Sequence, residues 1–231
     1  MTNSELSNQF DILWNNIMSN QAPGLDEYEK SVFLTEAQRQ IVLSYYGGKP
    51  NSVLSFEMTE EVRRYLGYLV KTVELTAESN PQEILLNSNS KVFILPNKLW
   101  FITYESAILS SDSDNCIDGR EVLVEPVTQD TYYKVSNNPF RGANDRRALR
   151  LDIGDNKVEL VSKYNIDKYL VRYIEKLDPI ILVDLDGGLS IEGKTEATEC
   201  KLNDALHYFI LRQAVNLAKD AWTESIGKNQ Q

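Results

Sequence analysis

The sequence predicts an α+β fold: a helical bundle of N-terminal helices plus one long C-terminal helix, with an antiparallel β hairpin and sheet region between them. Three observations predict it. Apolar residues recur at helical spacing through the first seventy positions. Short β-branched and aromatic runs, broken by Gly, Pro, Asn and Asp, fill residues 84–163. An amphipathic run from Asp204 to Trp222 closes the chain. The matching organisation is 1–75 for the N-terminal helices, 76–185 for a mainly β region with protruding loops, and 186–231 for a loop and a C-terminal helix returning to the bundle.

The first helix is expected over Ser4–Met18, with Leu6, Phe10, Leu13, Trp14 and Ile17 on one stripe. Ala22-Pro23-Gly24 breaks the chain. Asp26 with Glu29 forms a capping box for a short helical turn, and Thr35 with Gln38 reads as a second one, so a short helix, a kink and a longer helix ending at Gly47-Gly48 are expected. Residues Asn51–Phe56 read as an irregular connector or a short strand. Thr59 caps a third helix with Val62, Tyr65, Leu66 and Leu69 on one face, and the chain turns extended near Val70.

Lys91–Leu95 and Lys98–Leu109, joined by Pro96-Asn97, read as a hairpin. Glu121–Val127 is a strand that Pro126 ends. Gln129–Tyr133 is a short helical turn. Ala148–Ile153 and Lys157–Val161 form a second hairpin about Gly154-Asp155-Asn156. The stretch Tyr169–Leu185 is a strand, a bend at Asp178-Pro179 and a second strand. Asn203 or Asp204 caps the last helix.

The net charge of −10 argues against wrapping nucleic acid, because counterion displacement from phosphates needs Lys and Arg. It is compatible with DNA passing an acidic wall. No apolar run reaches the ~20 residues that cross a bilayer. The two cysteines, Cys116 and Cys200, make no disulfide framework, and a reducing cytoplasmic origin with free thiols is expected.

Catalytic signatures are weak. His207 is the single histidine, without spacing to metal-ligating partners. Asp112–Gly119 resembles a calcium loop but lacks the closing Glu, and a solvated acidic loop accounts for it. No phosphate loop or dinucleotide fingerprint is present. The residues therefore point to no catalytic site, no cofactor and no metal. Arg141, Arg146, Arg147 and Arg150 form the one basic cluster, beside Asn138-Pro139-Phe140. It is read either as an exposed loop or as a contact for an acidic surface.

Three stretches then carry a resemblance: Ala22–Ser31 with Thr35-Glu-Ala-Gln; Val124–Tyr132 with Asn138-Pro-Phe140; and Tyr169–Leu182 followed by Thr198–Leu202 and the helix His207–Ala218. Their joint order resembles head–tail connector ring or adaptor proteins of the crAss-like tailed phages of Bacteroidetes. The resemblance implies a virion structural protein at the head–tail junction, made in the host cytoplasm. Its implied partners are copies of itself in a closed ring of about twelve, the portal protein and other tail ring proteins. Genomic DNA would pass through without sequence-specific binding, and no membrane is involved. The expected contact residues are Phe140, Arg141, Arg146, Arg147 and Arg150 in the loop, with Trp100 and Tyr104 on the Lys91–Leu109 hairpin. The alternatives are a metal-dependent enzyme or metal-binding module using Asp184, Asp186, Cys200 and His207, and a virion cargo or scaffolding protein.

Overall fold

A computed structural model describes residues 1–18, 23–47, 60–78, 85–111 and 116–228. The stretch 51–56, the Thr59 cap and the first half of the calcium-like loop, 112–115, lie outside the described residues. Two compact units emerge: Met1–Tyr68 with Leu177–Gln231, and the continuous stretch Leu69–Lys176.

The helical unit holds α1 (Asn3–Met18), α2 (Glu27–Gly47), α3 (Glu60–Leu66) and α5 (Asp204–Lys228). Leu6, Phe10 and Trp14, spaced by four, are buried along α1. Full burial of side chains of this size stabilises by about 1.5–3 kcal/mol each. The Trp14 indole donates to the Pro23 carbonyl at 3.1 Å, which satisfies its polar edge. At the start of α2 the capping box forms as read. Glu29 N–H donates to Asp26 Oδ1 at 2.7 Å, and Asp26 N–H to Glu29 Oε2 at 3.0 Å. Asn203 caps α5 through Ala205 N–H at 3.0 Å.

The second capping box is a correction. The α2 helix runs unbroken through Thr35, with no kink. Its interior polar stripe, Ser31, Thr35 and Gln38, instead serves the extended segment after Asp178. Ser31 Oγ accepts from Leu182 N–H at 3.0 Å. Thr35 Oγ1 accepts from Ile180 N–H at 3.0 Å and lies 3.2 Å from the Ile180 carbonyl, to which it donates. Gln38 Nε2 donates to the Asp178 carbonyl at 3.0 Å. Positions 178, 180 and 182 point the same way in an extended chain, and 31, 35 and 38 share one helix face. On the opposite side Ile181 exchanges backbone hydrogen bonds with Thr198 at 3.1 and 2.9 Å. The run Ile180–Leu185 is therefore an isolated bridge with a helix for its second neighbour, where a strand was expected.

Lys30 is buried on the same helix. Its ammonium reaches Asp11 at 2.7 Å, Glu27 at 2.9 Å and Ser7 Oγ at 3.2 Å. Burial alone would pull the ammonium pKa down. The two carboxylates more than offset this and hold it above the ordinary value.

The second unit holds β1 (Val70–Thr76), β2 (Lys91–Ile94), β3 (Leu99–Ser110), β4 (Glu121–Pro126), α4 (Gln129–Ser136), β5 (Arg147–Gly154), β6 (Lys157–Val161) and β7 (Asn165–Glu175). All seven strands form one sheet in the order β1-β7-β3-β4-β5-β6-β2. Every pair is antiparallel except β4–β5, whose parallel pairing requires a crossover, supplied by α4. This overturns the expectation of a helical bundle with a hairpin region: the fold is mixed α/β, and the sheet is its dominant element. The expected Lys91–Leu109 hairpin does not form. The Pro96 turn instead carries the chain from the β2 edge into the middle of the sheet, where β3 pairs with β4 and β7. The Gly154–Asn156 hairpin between β5 and β6 does form, with all three turn residues at positive φ.

The sheet curls. Glu78, just past β1 on one edge, donates its N–H to the Val92 carbonyl of β2 on the other edge at 2.8 Å. Inside the curl lie Phe93, Ala107, Leu109, Leu160, Tyr169 and Val171, all essentially inaccessible to water. Phe93 and Tyr169 meet edge to face with ring centres 5.4 Å apart. A smaller cluster of Leu149, Leu151 and Val161 is covered by Tyr132 and Val135 of α4 and by Ala143. Val70 at the start of the unit pairs with Ile174 at its end.

Candidate functional site

The arginine cluster read from the sequence separates on the structure. Arg150 is inside the sheet, with only 11% of its side chain exposed. Its Nη1 donates to both oxygens of Glu105, at 2.8 and 2.9 Å. Tyr169 O–H donates to the same carboxylate at 2.5 Å. Arg150 Nε lies 3.2 Å from Asp152 Oδ1 without hydrogen-bond alignment. Burial raises the Glu105 carboxyl pKa, and Tyr169 and Arg150 pull against that rise. Burial and the neighbouring Glu105 carboxylate drive the Tyr169 phenol far above its usual range. Arg150 feels burial as a downward pull that Glu105, Tyr169 and Asp152 together outweigh, so it stays cationic. This triad is a charge-assisted network.

The other arginines lie at the start of β5 and in the loop before it. Arg147 pairs with Glu125 at 3.1 Å and donates to the Phe140 carbonyl at 3.2 Å. Arg146 is 83% exposed and sits 4.0 Å from Asp145. Arg141 is exposed. Between them Phe140 is 85% exposed, on a loop that is internally bonded. Asn138 Oδ1 accepts from Phe140 N–H at 2.9 Å, and the Asn138 carbonyl accepts from Gly142 N–H at 2.7 Å. A Cβ at Gly142 would fall 2.8 Å from the Ser136 carbonyl oxygen, so the loop closes this tightly only with glycine.

Trp100 and Tyr104 are on β3. Trp100 stacks on Phe101 at 5.0 Å, and half-exposed Tyr104 donates to Glu121 at 3.4 Å. Trp100 and Phe101 line a cavity of about 410 Å³ at the end of the sheet where β5 turns into β6. Leu99, Pro126, Asp152 and Val158 complete its wall, and Glu105 with Arg150 also lines it. Sequence reading missed this cavity, because its walls come from strands distant in the chain.

The residues of the metal reading do not meet. Asp184 accepts from Ala197 N–H at 2.7 Å. His207 is buried, with Nε2 at 3.0 Å from the Leu202 carbonyl and Nδ1 at 2.8 Å from the Met1 amine. The carbonyl can only accept, so Nε2 carries the proton. Cys200 Sγ contacts Gln38 Oε1 at 3.4 Å, and burial pushes its thiol up to about 11. Among the described residues no group of three or more His, Cys, Asp or Glu could hold a metal ion. Cys116 is exposed. A maleimide at pH 7 is therefore expected to modify Cys116 of the folded chain rapidly and Cys200 only after denaturation, read by mass spectrometry of the intact chain.

Among the described residues no helix is long and apolar enough to cross a membrane. Residues 1–230 match the family described as phage tail ring protein 3/4. Ring protein 3 of Bacteroides phage crAss001 is 47% identical over 232 aligned positions, covering all of both chains. Ring protein 4/5 of the same phage is 34% identical, covering 96% of this chain and 94% of that one. The similarity runs through both the helical and the sheet unit, and the chain belongs to the phage tail ring protein 3/4 family, as a structural ring protein of the virion.

Proposed function

We propose that this chain assembles into a closed ring of about twelve copies at the head–tail junction, seated on the portal and carrying further tail rings, with genomic DNA passing through its centre. The observation that carries this reading is the full-length match to a relative named as a ring protein, which leaves no part of the chain outside the shared architecture. The net charge of −10 supports it, since an acidic wall repels a polyanion and lets it slide. The internally bonded Phe140 loop supplies an exposed contact element of the kind a neighbour can grip.

Cryo-electron microscopy of intact virions tests the proposal. The expected result is density for this chain as a closed ring between portal and tail. Copies scattered inside the head would mean cargo, and absence from the particle would remove the structural role. For the purified chain, substitution of exposed Arg141 and Arg146 by Glu is expected to lower ring formation by tenfold or more while thermal unfolding stays unchanged. Normal ring yield from that variant would remove the loop from the contact.

A further inference from the structure

The Phe140 loop lies at the start of β5, and the Trp100 cavity runs from Arg150, midway along that strand, to its far end. The loop closes on Arg147 at the start of β5 through its bond to the Phe140 carbonyl. The cavity is lined by Asp152 and Gly154 at the end of β5. Seven residue steps at ~3.3 Å set these two ends roughly 23 Å apart. One end projects an aromatic ring and the other opens a hollow walled by Leu99, Trp100 and Phe101.

Charge follows the same polarity. The loop Ser136–Arg147 carries three arginines against one aspartate, on a chain of net charge −10. The cavity lining itself is balanced, Glu105 and Asp152 against Arg150 and Lys157, and the turn beside it adds exposed Asp155, so its acidic groups on the outer rim are Asp152 and Asp155. A single exposed Phe is ordinary on a protein surface. A Phe held out by a loop bonded to itself matches in kind a cavity walled by Leu99, Trp100 and Phe101, with two exposed aspartates at its rim for the loop arginines. The ordering cost of docking is low when the loop is already fixed.

We infer that Phe140 of one copy inserts into the Trp100–Phe101 cavity of the next copy, with Arg141 and Arg146 facing Asp152 and Asp155. The two surfaces differ, so the contact is head to tail. Repeated contacts of this kind close a ring when their rotation allows it, whereas a two-fold contact would stop at a dimer. The inference rests on the proposed ring and names the surfaces that build it.

The test uses the full-length chain with Cys116→Ser, which leaves buried Cys200 as the native thiol. Ring formation is followed by analytical ultracentrifugation. Phe140→Ala is expected to raise the concentration needed for rings by about tenfold or more with an unchanged melting profile, since the side chain is 85% exposed. Above that raised concentration, a Phe140→Cys chain mixed with a Pro126→Cys chain, Pro126 lining the cavity, should give a cross-linked pair with a short bis-maleimide. Phe140→Cys alone should give none. Rings from Phe140→Ala at wild-type concentrations, a missing mixed cross-link, or cross-linking of Phe140→Cys to itself would each overturn the pairing and leave the ring standing. A wild-type chain that forms no ring at any concentration would strike the ring itself.

Discussion

Arg150→Ala is expected to destabilise the sheet unit by about 3–5 kcal/mol, the range for removing one member of a buried ion pair. The cause is the partner left behind. Glu105 is 8% exposed, and without Arg150 its carboxylate keeps one protein donor, the Tyr169 hydroxyl. Domain stabilities run at roughly 5–15 kcal/mol, so the variant should approach the unfolding threshold, with a Tm lower by on the order of 10 °C. The triple variant Glu105→Met, Arg150→Met, Tyr169→Phe removes all three polar ends together. It should fall within about 2 kcal/mol of the wild type, because no charge or hydroxyl is then stranded. A triple variant as unstable as Arg150→Ala would show that the network holds the curl by geometry and not merely by satisfying itself.

The pH dependence has a definite sign. The Glu105 pKa is raised in the folded chain above its ordinary value of 4.5, so the folded state binds that proton more tightly than the unfolded one. Its contribution is favourable at low pH and is lost as pH rises from 4.5 through the folded value. The stability of the wild type relative to the triple variant should therefore improve as pH falls from 7 to 4.5, measured by urea midpoints.

Thr35→Val is the second large effect, at about 2–4 kcal/mol. Valine matches the shape and removes a hydroxyl that serves the N–H and the carbonyl of Ile180. Both groups are buried, and each unsatisfied group costs about 1–3 kcal/mol. Thr35→Ser keeps the hydroxyl and should cost no more than about 1 kcal/mol. A Thr35→Val loss of no more than about 1 kcal/mol, read from chemical denaturation, would sink the hydrogen-bond account.

The same residue shows where the sequence misleads. Thr35 followed by Gln38 has the spacing of a capping box. The two side chains are engaged by a segment about 140 positions later, which no local pattern announces. Asp26 and Glu29 follow the same rule and are a true cap, because the Pro23-Gly24 break lies just before them. The stripe Leu6–Phe10–Trp14 was legible because period and burial agree. So was the β5–β6 hairpin, since its Gly154-Asp155-Asn156 turn tolerates positive φ.

Strand pairing was not legible. Period-two patterns give a strand's two faces and not its neighbours, so the β2–β3 hairpin was drawn from adjacency and the parallel β4–β5 pair was missed. Glu105 did carry a signal, since it stands in phase with Ala107 and Leu109 on the inward face of β3. Arg150 stands in phase with Ala148. Two opposite charges at inward positions of different strands point to a buried pair, and proximity to Arg146 and Arg147 hid it.

The pairing of Val70 with Ile174 has a consequence for how such chains diversify. The two points where the chain enters and leaves the sheet unit are neighbouring strands, about 5 Å apart. The unit is thus an inserted cassette whose removal leaves a gap that a few residues can bridge. One recombination event could exchange it while the helical path is retained, giving rings that share a frame and differ in what they grip.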